Sequence, residues 1–123
     1  MKELKIVIAE DAKLLSELIK RRLSAINGFK VVGVAADGVK TIELVRDLKP
    51  HVLVLDITMP CMDGIEVLKE IRAKDSSTII VMFTSEISPL IRKVCLDAGA
   101  NYFLNKSQIT ELIEICNLHL AAL

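Results

Sequence analysis

Short apolar, β-branched runs alternate with longer stretches whose apolar residues recur at helical spacing. Residues 5–9 form the first run, with Ile6-Val7-Ile8-Ala9 at its heart. Runs of this kind read as buried strands. Leu14, Leu15, Leu18, Ile19, Leu23 and Ile26 then recur at helical spacing, predicting a helix over about 12–26 closed by Asn27-Gly28. Lys30 to Ala35 is a second strand. Asp37 is placed to cap a helix over 38–48, which carries Ile42, Leu44, Val45 and Leu48 and stops at Pro50. Residues 51–56 are a third strand, 57–63 a loop and 64–74 a helix bearing Ile65, Val67, Leu68 and Ile71. A fourth strand follows the Ser76-Ser77 turn at 78–83. Ser88-Pro89 then caps and opens a helix running to Ala98, where Gly99 ends it. Residues 101–104 are a short fifth strand and 108–122 the last helix.

Five strand–helix repeats with crossovers of this length predict parallel strands and right-handed connections. Strands apolar on both faces need cover on both sides. The expected fold is therefore α/β, a doubly wound five-stranded parallel sheet in the order 2-1-3-4-5 with flanking helices, the flavodoxin-like arrangement. The length of 123 residues matches one domain, so residues 1–123 are expected to form a single unit.

Polar residues stand just past the apolar runs. Glu10 and Asp11 follow the first strand, Asp56 the third, Thr84 the fourth, and Lys106 comes one residue beyond Leu104 of the fifth. In an open parallel sheet these positions share one rim, where ligands bind. Gathered carboxylates repel one another, and a hard divalent cation relieves the conflict. A few protein oxygens with several waters suit Mg²⁺. Asp11 and Asp56 are the candidate direct ligands. A backbone carbonyl from the following loop, that of Thr58, is a third, and Glu10 can act through water. A carboxylate can also attack phosphorus and form an aspartyl-phosphate. Phosphoryl transfer asks mainly for positioning and charge neutralisation, which the Lys106 ammonium and Thr84 hydroxyl can supply. Each residue alone is commonplace; the joint placement at four strand ends is what points to a site.

Composition narrows the picture. The chain is 52% hydrophobic, and 16 basic residues balance 16 acidic ones. Direct nucleic-acid binding ordinarily shows a basic excess, absent here. The Lys20-Arg21-Arg22 run reads as a solvated helix end. No stretch approaches the ~20 apolar residues of a membrane span, and charged residues interrupt the N-terminus where a signal peptide would lie. Cys61, Cys95 and Cys116 lack metal spacing and read as reduced thiols of a cytoplasmic protein, with Cys61 alone in the loop near the rim.

With these residues placed, the chain resembles a receiver domain of a two-component response regulator along essentially its whole length. The resemblance is carried by Glu10-Asp11, by Val54-Leu55-Asp56-Ile57-Thr58-Met59-Pro60-Cys61-Met62-Asp63-Gly64, by Thr84-Ser85, and by Ala98-Gly99-Ala100-Asn101 running into Lys106. It implies that Asp56 accepts a phosphoryl group from a phosphohistidine of a sensor histidine kinase or phosphotransfer protein. It further implies that Glu10, Asp11 and Asp56 hold Mg²⁺ and that Lys106 contacts the phosphoryl group. Thr84 would swing toward that group, with Phe103 following as the aromatic switch. Thr58 and Glu86 take the positions that tune phosphoryl lifetime in relatives. Ser107 replaces the proline that often follows the lysine, so a cis bond is not expected there.

The expected output is a change in the face formed by the fourth helix, fifth strand and fifth helix, read by a downstream effector. A phosphotransfer intermediate in a phosphorelay is the alternative. Catalysis is expected to be confined to self-catalysed gain and loss of phosphoryl on Asp56. A phosphatase acting on external phosphomonoesters usually has a second acid two residues after its nucleophile, where this chain has Thr58. In the last helix Ile109, Leu112, Ile113 and Cys116 form the core stripe. Ile115, Leu118 and Ala122 lie off it, offering a surface for a partner or a homodimer, with His119 at the surface beside them.

Overall fold

A computed structural model describes residues 2–123. Five strands, β1 (Leu4–Ala9), β2 (Phe29–Ala35), β3 (Val52–Leu55), β4 (Ile79–Thr84) and β5 (Tyr102–Asn105), alternate with five helices. These are α1 (Lys13–Ser24), α2 (Gly38–Leu48), α3 (Gly64–Arg72), α4 (Pro89–Asp97) and α5 (Ile109–Ala121). The strands are parallel and ordered β2-β1-β3-β4-β5, as expected.

Alternation along each strand splits the core into two layers. Val7, Leu53, Leu55, Ile80 and Met82 face α2, α3 and α4 through Val45, Val67, Leu68, Ile71 and Cys95. Ile6, Ile8, Val52, Val54, Val81 and Phe83 face α1 and α5 through Ile19, Leu23, Leu112 and Cys116. Two helix starts carry the predicted caps, Asp37 and Ser88, and Asp63 adds a third within the stretch expected to be a loop. Asp37 accepts from Lys40 N, Ser88 accepts from Ile91 N, and Asp63 accepts from both Ile65 N and Glu66 N.

Boundaries shift in instructive places. α1 stops at Ser24 and is capped at Ala25; left-handed Gly28 belongs instead to the turn that enters β2. Leu14 and Leu18 do not join the α1 core stripe but are 74% and 47% exposed, because Leu15, Ile19 and Leu23 occupy the sheet-facing side. α3 ends at Arg72 rather than 74, where Lys74 N–H tightens the last turn by bonding Ile71 O, and Arg72 turns its guanidinium onto carbonyls beyond the helix. β4 takes in Thr84 and β5 takes in Asn105, so Lys106 follows its strand directly. On α5, Leu118 and Ala122 are exposed as expected, while Ile115 is half-buried against the α1/α5 core layer. His119 is not a free surface histidine: its Nε2 lies 3.0 Å from the Tyr102 hydroxyl and the two rings meet edge-on.

The turn before β4 is built on Asp75. Burial alone would raise its carboxyl, but hydrogen bonds donated by Thr78 and Ser77 outweigh that and pull it from an ordinary 3.8 down to about 2. Its stabilising effect is therefore complete above its unfolded value and lost as the pH falls from about 4 to about 2. The group is largely solvated, so the contribution is on the order of 1 kcal/mol. Asp75→Asn is expected to flatten the acid limb of stability in that window, as chemical denaturation at stepped pH would show.

Candidate functional site

The sheet register brings the rim together. Ala9, Leu55, Met82 and Phe103 stand opposite one another across β1, β3, β4 and β5. β1 and β3 end at this level while β4 and β5 run on two residues to Thr84 and Asn105: Asp56 N donates to Ala9 O at 3.1 Å, and Lys106 N donates to Thr84 O at 3.1 Å. Asp56 and Glu10 are each 3% exposed, whereas Asp11 faces solvent. One oxygen each from Glu10, Asp11 and Asp56 can be chosen so that all lie within 4.8 Å of one another.

Lys106 ties the cluster together. Its ammonium lies 2.7 Å from Glu10 Oε1 and 2.9 Å from Asp56 Oδ2. The other Asp56 oxygen accepts from Ile57 N at 2.7 Å, and the other Glu10 oxygen accepts from Ala12 N at 3.0 Å. Burial works against the Lys106 charge, but the bonds to Glu10 and Asp56 outweigh it and raise the ammonium above its usual range. Burial raises the Glu10 carboxyl, and Asp56 adds to the effect, despite the bond from Lys106. One ammonium, paired with two of the three clustered carboxylates, leaves an excess of negative charge. Oxygen donors, two buried and one open to water, are a fit for a hard divalent cation that keeps part of its hydration.

The opposite wall is made by the loop after β4. The buried Thr84 hydroxyl accepts from Glu86 N at 3.1 Å, and the Thr58 hydroxyl donates to Glu86 Oε1 at 3.3 Å. Thr84 is thus engaged with its own loop, and Glu86 spans the mouth from β4 to the loop after Asp56. Phe103 is half-buried against the core layer under α4. No peptide bond among the described residues is cis, in line with Ser107 after Lys106. Cys61 is exposed in the loop after Asp56 and takes a left-handed backbone, φ 71°. Burial raises the Cys95 thiol and pushes that of Cys116 up to about 12, so both are unreactive at neutral pH.

Two residues of the site have contacts that the sequence does not reveal. Gly64 donates its N–H to Ile57 O at 2.7 Å and packs so closely on the Asp56 backbone that no Cβ fits: an ideal one would overlap the Asp56 carbonyl oxygen. In the sequence it ends the loop and the motif that carries the resemblance, with no physical reason evident for a glycine there. Glu86, singled out with Thr58 in the sequence through the family resemblance, bridges Thr84 and Thr58 through its N–H and its carboxylate, contacts that no spacing signals.

A parallel 2-1-3-4-5 sheet with acids at its switch point and a lysine reaching over them is the arrangement of a receiver domain. The chain belongs to the response regulator receiver domain family, whose model matches residues 6–117. It is 36% identical over 102 residues to the response regulator MprA of Mycobacterium ulcerans (strain Agy99), a match covering 83% of this chain and 43% of that protein. The chain therefore spans less than half the length of the curated relatives it matches. Among solved structures it resembles the signal receiver domain of the putative response regulator NarL from Mycobacterium tuberculosis. That match has a TM-score of 0.87 and 31% identity, covering 94% of this chain and 97% of the other. A LuxR-family two-component response regulator from Aurantimonas sp. SI85-9A1 gives a TM-score of 0.91 and 29% identity, covering 98% and 87%. Response regulators interact with histidine kinases and effectors, and receiver domains typically bind Mg²⁺. No described helix is long and apolar enough to cross a membrane.

Proposed function

We propose that this receiver takes a phosphoryl group onto Asp56 from a phosphohistidine and uses it to switch the α4–β5–α5 face. The observation that carries this reading is the Lys106 ammonium held between buried Glu10 and Asp56 at the switch point of the sheet. Glu10, Asp11 and Asp56, with the backbone carbonyl of Thr58, would hold Mg²⁺. Bound there, the ion would neutralise charge on the incoming phosphoryl group.

The remaining work falls to the chain itself. A carboxylate oxygen of Asp56 attacks phosphorus as the bond to the histidine nitrogen breaks. Lys106, already beside Asp56, stays within reach of a phosphoryl oxygen as a point charge. The Thr84 hydroxyl, now accepting from Glu86 N–H, turns to donate to another. That turn gives up its bond to the β4–α4 loop and opens space toward which Phe103 can move. The change would appear on α4, β5 and α5, where an effector reads it. Exposed Leu118 gives α5 an apolar contact for a partner or a second copy. Glu86 and Thr58, closing the mouth, are placed to govern water access and so the life of the acyl phosphate.

Phosphoramidate, which carries the same phosphorus–nitrogen bond as phosphohistidine, provides the test. With millimolar Mg²⁺ the protein is expected to gain an acyl phosphate detectable by ³¹P NMR. Excess EDTA is expected to abolish the gain. Equal labelling with and without chelator would refute the assigned cation site.

A further inference from the structure

We infer that Arg72 is a positioning residue that fixes the C-terminal end of α4, so that α4 pivots about Gly99 while its N-terminal end moves. This rests on the phosphoryl-switch reading of the site. Arg72 closes α3, yet its guanidinium serves four acceptors outside that helix. Nε donates to Gly99 O at 2.8 Å, and Nη1 donates to Asp75 O at 3.1 Å. Nη2 donates to Thr78 O and to Asn101 Oδ1, each at 2.8 Å. The same Asn101 oxygen accepts from Ile80 N at 2.8 Å. One planar cation thus joins the end of α3, the start of β4 and the turn between α4 and β5. Its fork geometry is what allows four bonds at once, and a lysine could not reproduce it.

Gly99 is shaped to this hub. Its φ is +110°, and an added Cβ would lie 2.8 Å from Arg72 Cγ. Side-chain bulk is excluded there both by backbone conformation and by the arginine stem.

The two ends of α4 differ in the same sense. Cys95, in the last turn, is its one fully buried residue. Past it, Ala98, Gly99 and Ala100 N–H groups bond back to Val94, Leu96 and Cys95 carbonyls, and Ala100 is buried. At the other end Ile87 and Leu90 are 60% and 69% exposed, and this end adjoins the loop through which Glu86 holds Thr84. A helix clamped at one end and lightly held at the other responds to a pull on its loose end by rotation about the clamp. Thr84 supplies the pull; Arg72 sets where the motion stops.

The test is an amide NMR comparison of the protein with and without Mg²⁺ and beryllofluoride, a phosphoryl analogue. In wild type, shift changes from Thr84 through Ile91 are expected to exceed those from Leu96 through Ala100 severalfold. In Arg72→Lys, or in the milder Asn101→Ala should the first fold poorly, the changes are expected to spread to Leu96–Ala100. A loss of melting temperature alone would not produce that redistribution. Comparable changes at both ends in wild type would overturn the pivot while leaving the phosphoryl reading intact. A folded variant showing the wild-type pattern would also overturn it. An unmoved Thr84 amide would overturn the phosphoryl reading and the pivot with it.

Discussion

Lys106→Met is expected to lose stability in chelator by about 3 kcal/mol, because it leaves Glu10 and Asp56 buried with no cation between them. The same substitution frees two oxygens that the ammonium now occupies. Mg²⁺ should therefore raise the melting temperature of the variant more than that of wild type, since a ligand stabilises in proportion to its affinity for the folded state. Phosphoryl uptake should nevertheless fall about a hundredfold, because a preorganised donor to the transferring group is gone. Calorimetry with EDTA and with Mg²⁺, paired with uptake rates from acetyl phosphate, separates the two effects. A variant as stable as wild type in EDTA would show that the Lys106 bridge does not hold the rim together.

Gly64→Ala should be nearly as damaging, for a different reason. The new methyl group meets main-chain atoms, the Asp56 carbonyl and Ile57 Cα, and neither can swing aside as a side chain would. Overpacking of this kind costs about 1–3 kcal/mol. The strain falls on the residue proposed to react, and a displacement of about 1 Å is enough to cost roughly a hundredfold in rate. Asp63→Ala, next door, removes the α3 cap that bonds Ile65 N and Glu66 N. It should cost about 1 kcal/mol with little change in uptake. If the two variants lost stability equally and Gly64→Ala kept its uptake rate, the close approach of Gly64 to Asp56 would not matter for the site.

Much of this architecture is legible in the sequence because strands buried on both faces must be short and apolar, and because the rim of a parallel sheet collects whatever follows them. Glu10, Asp11, Asp56, Thr84 and Lys106 could be picked out on that ground alone. Leu14 and Leu18 could not be placed, since they share helical spacing with Leu15 and Ile19 and only the sheet decides which stripe is covered. The Tyr102–His119 contact joins residues 17 apart whose types signal nothing together. Arg72 is harder still: three of its four acceptors are main-chain carbonyls, and every residue has one. Gly64 shows the converse limit, where a glycine that the sequence places at the end of a loop motif is required by the backbone of a residue eight positions earlier.

The central claim is that Asp56 is the phosphoacceptor. Intact mass after acetyl phosphate treatment with Mg²⁺, on wild type and on Asp56→Asn, tests it most directly. A gain of one phosphoryl group in wild type and none in the variant is the predicted result. An equal gain in both proteins, or none in wild type, would contradict it.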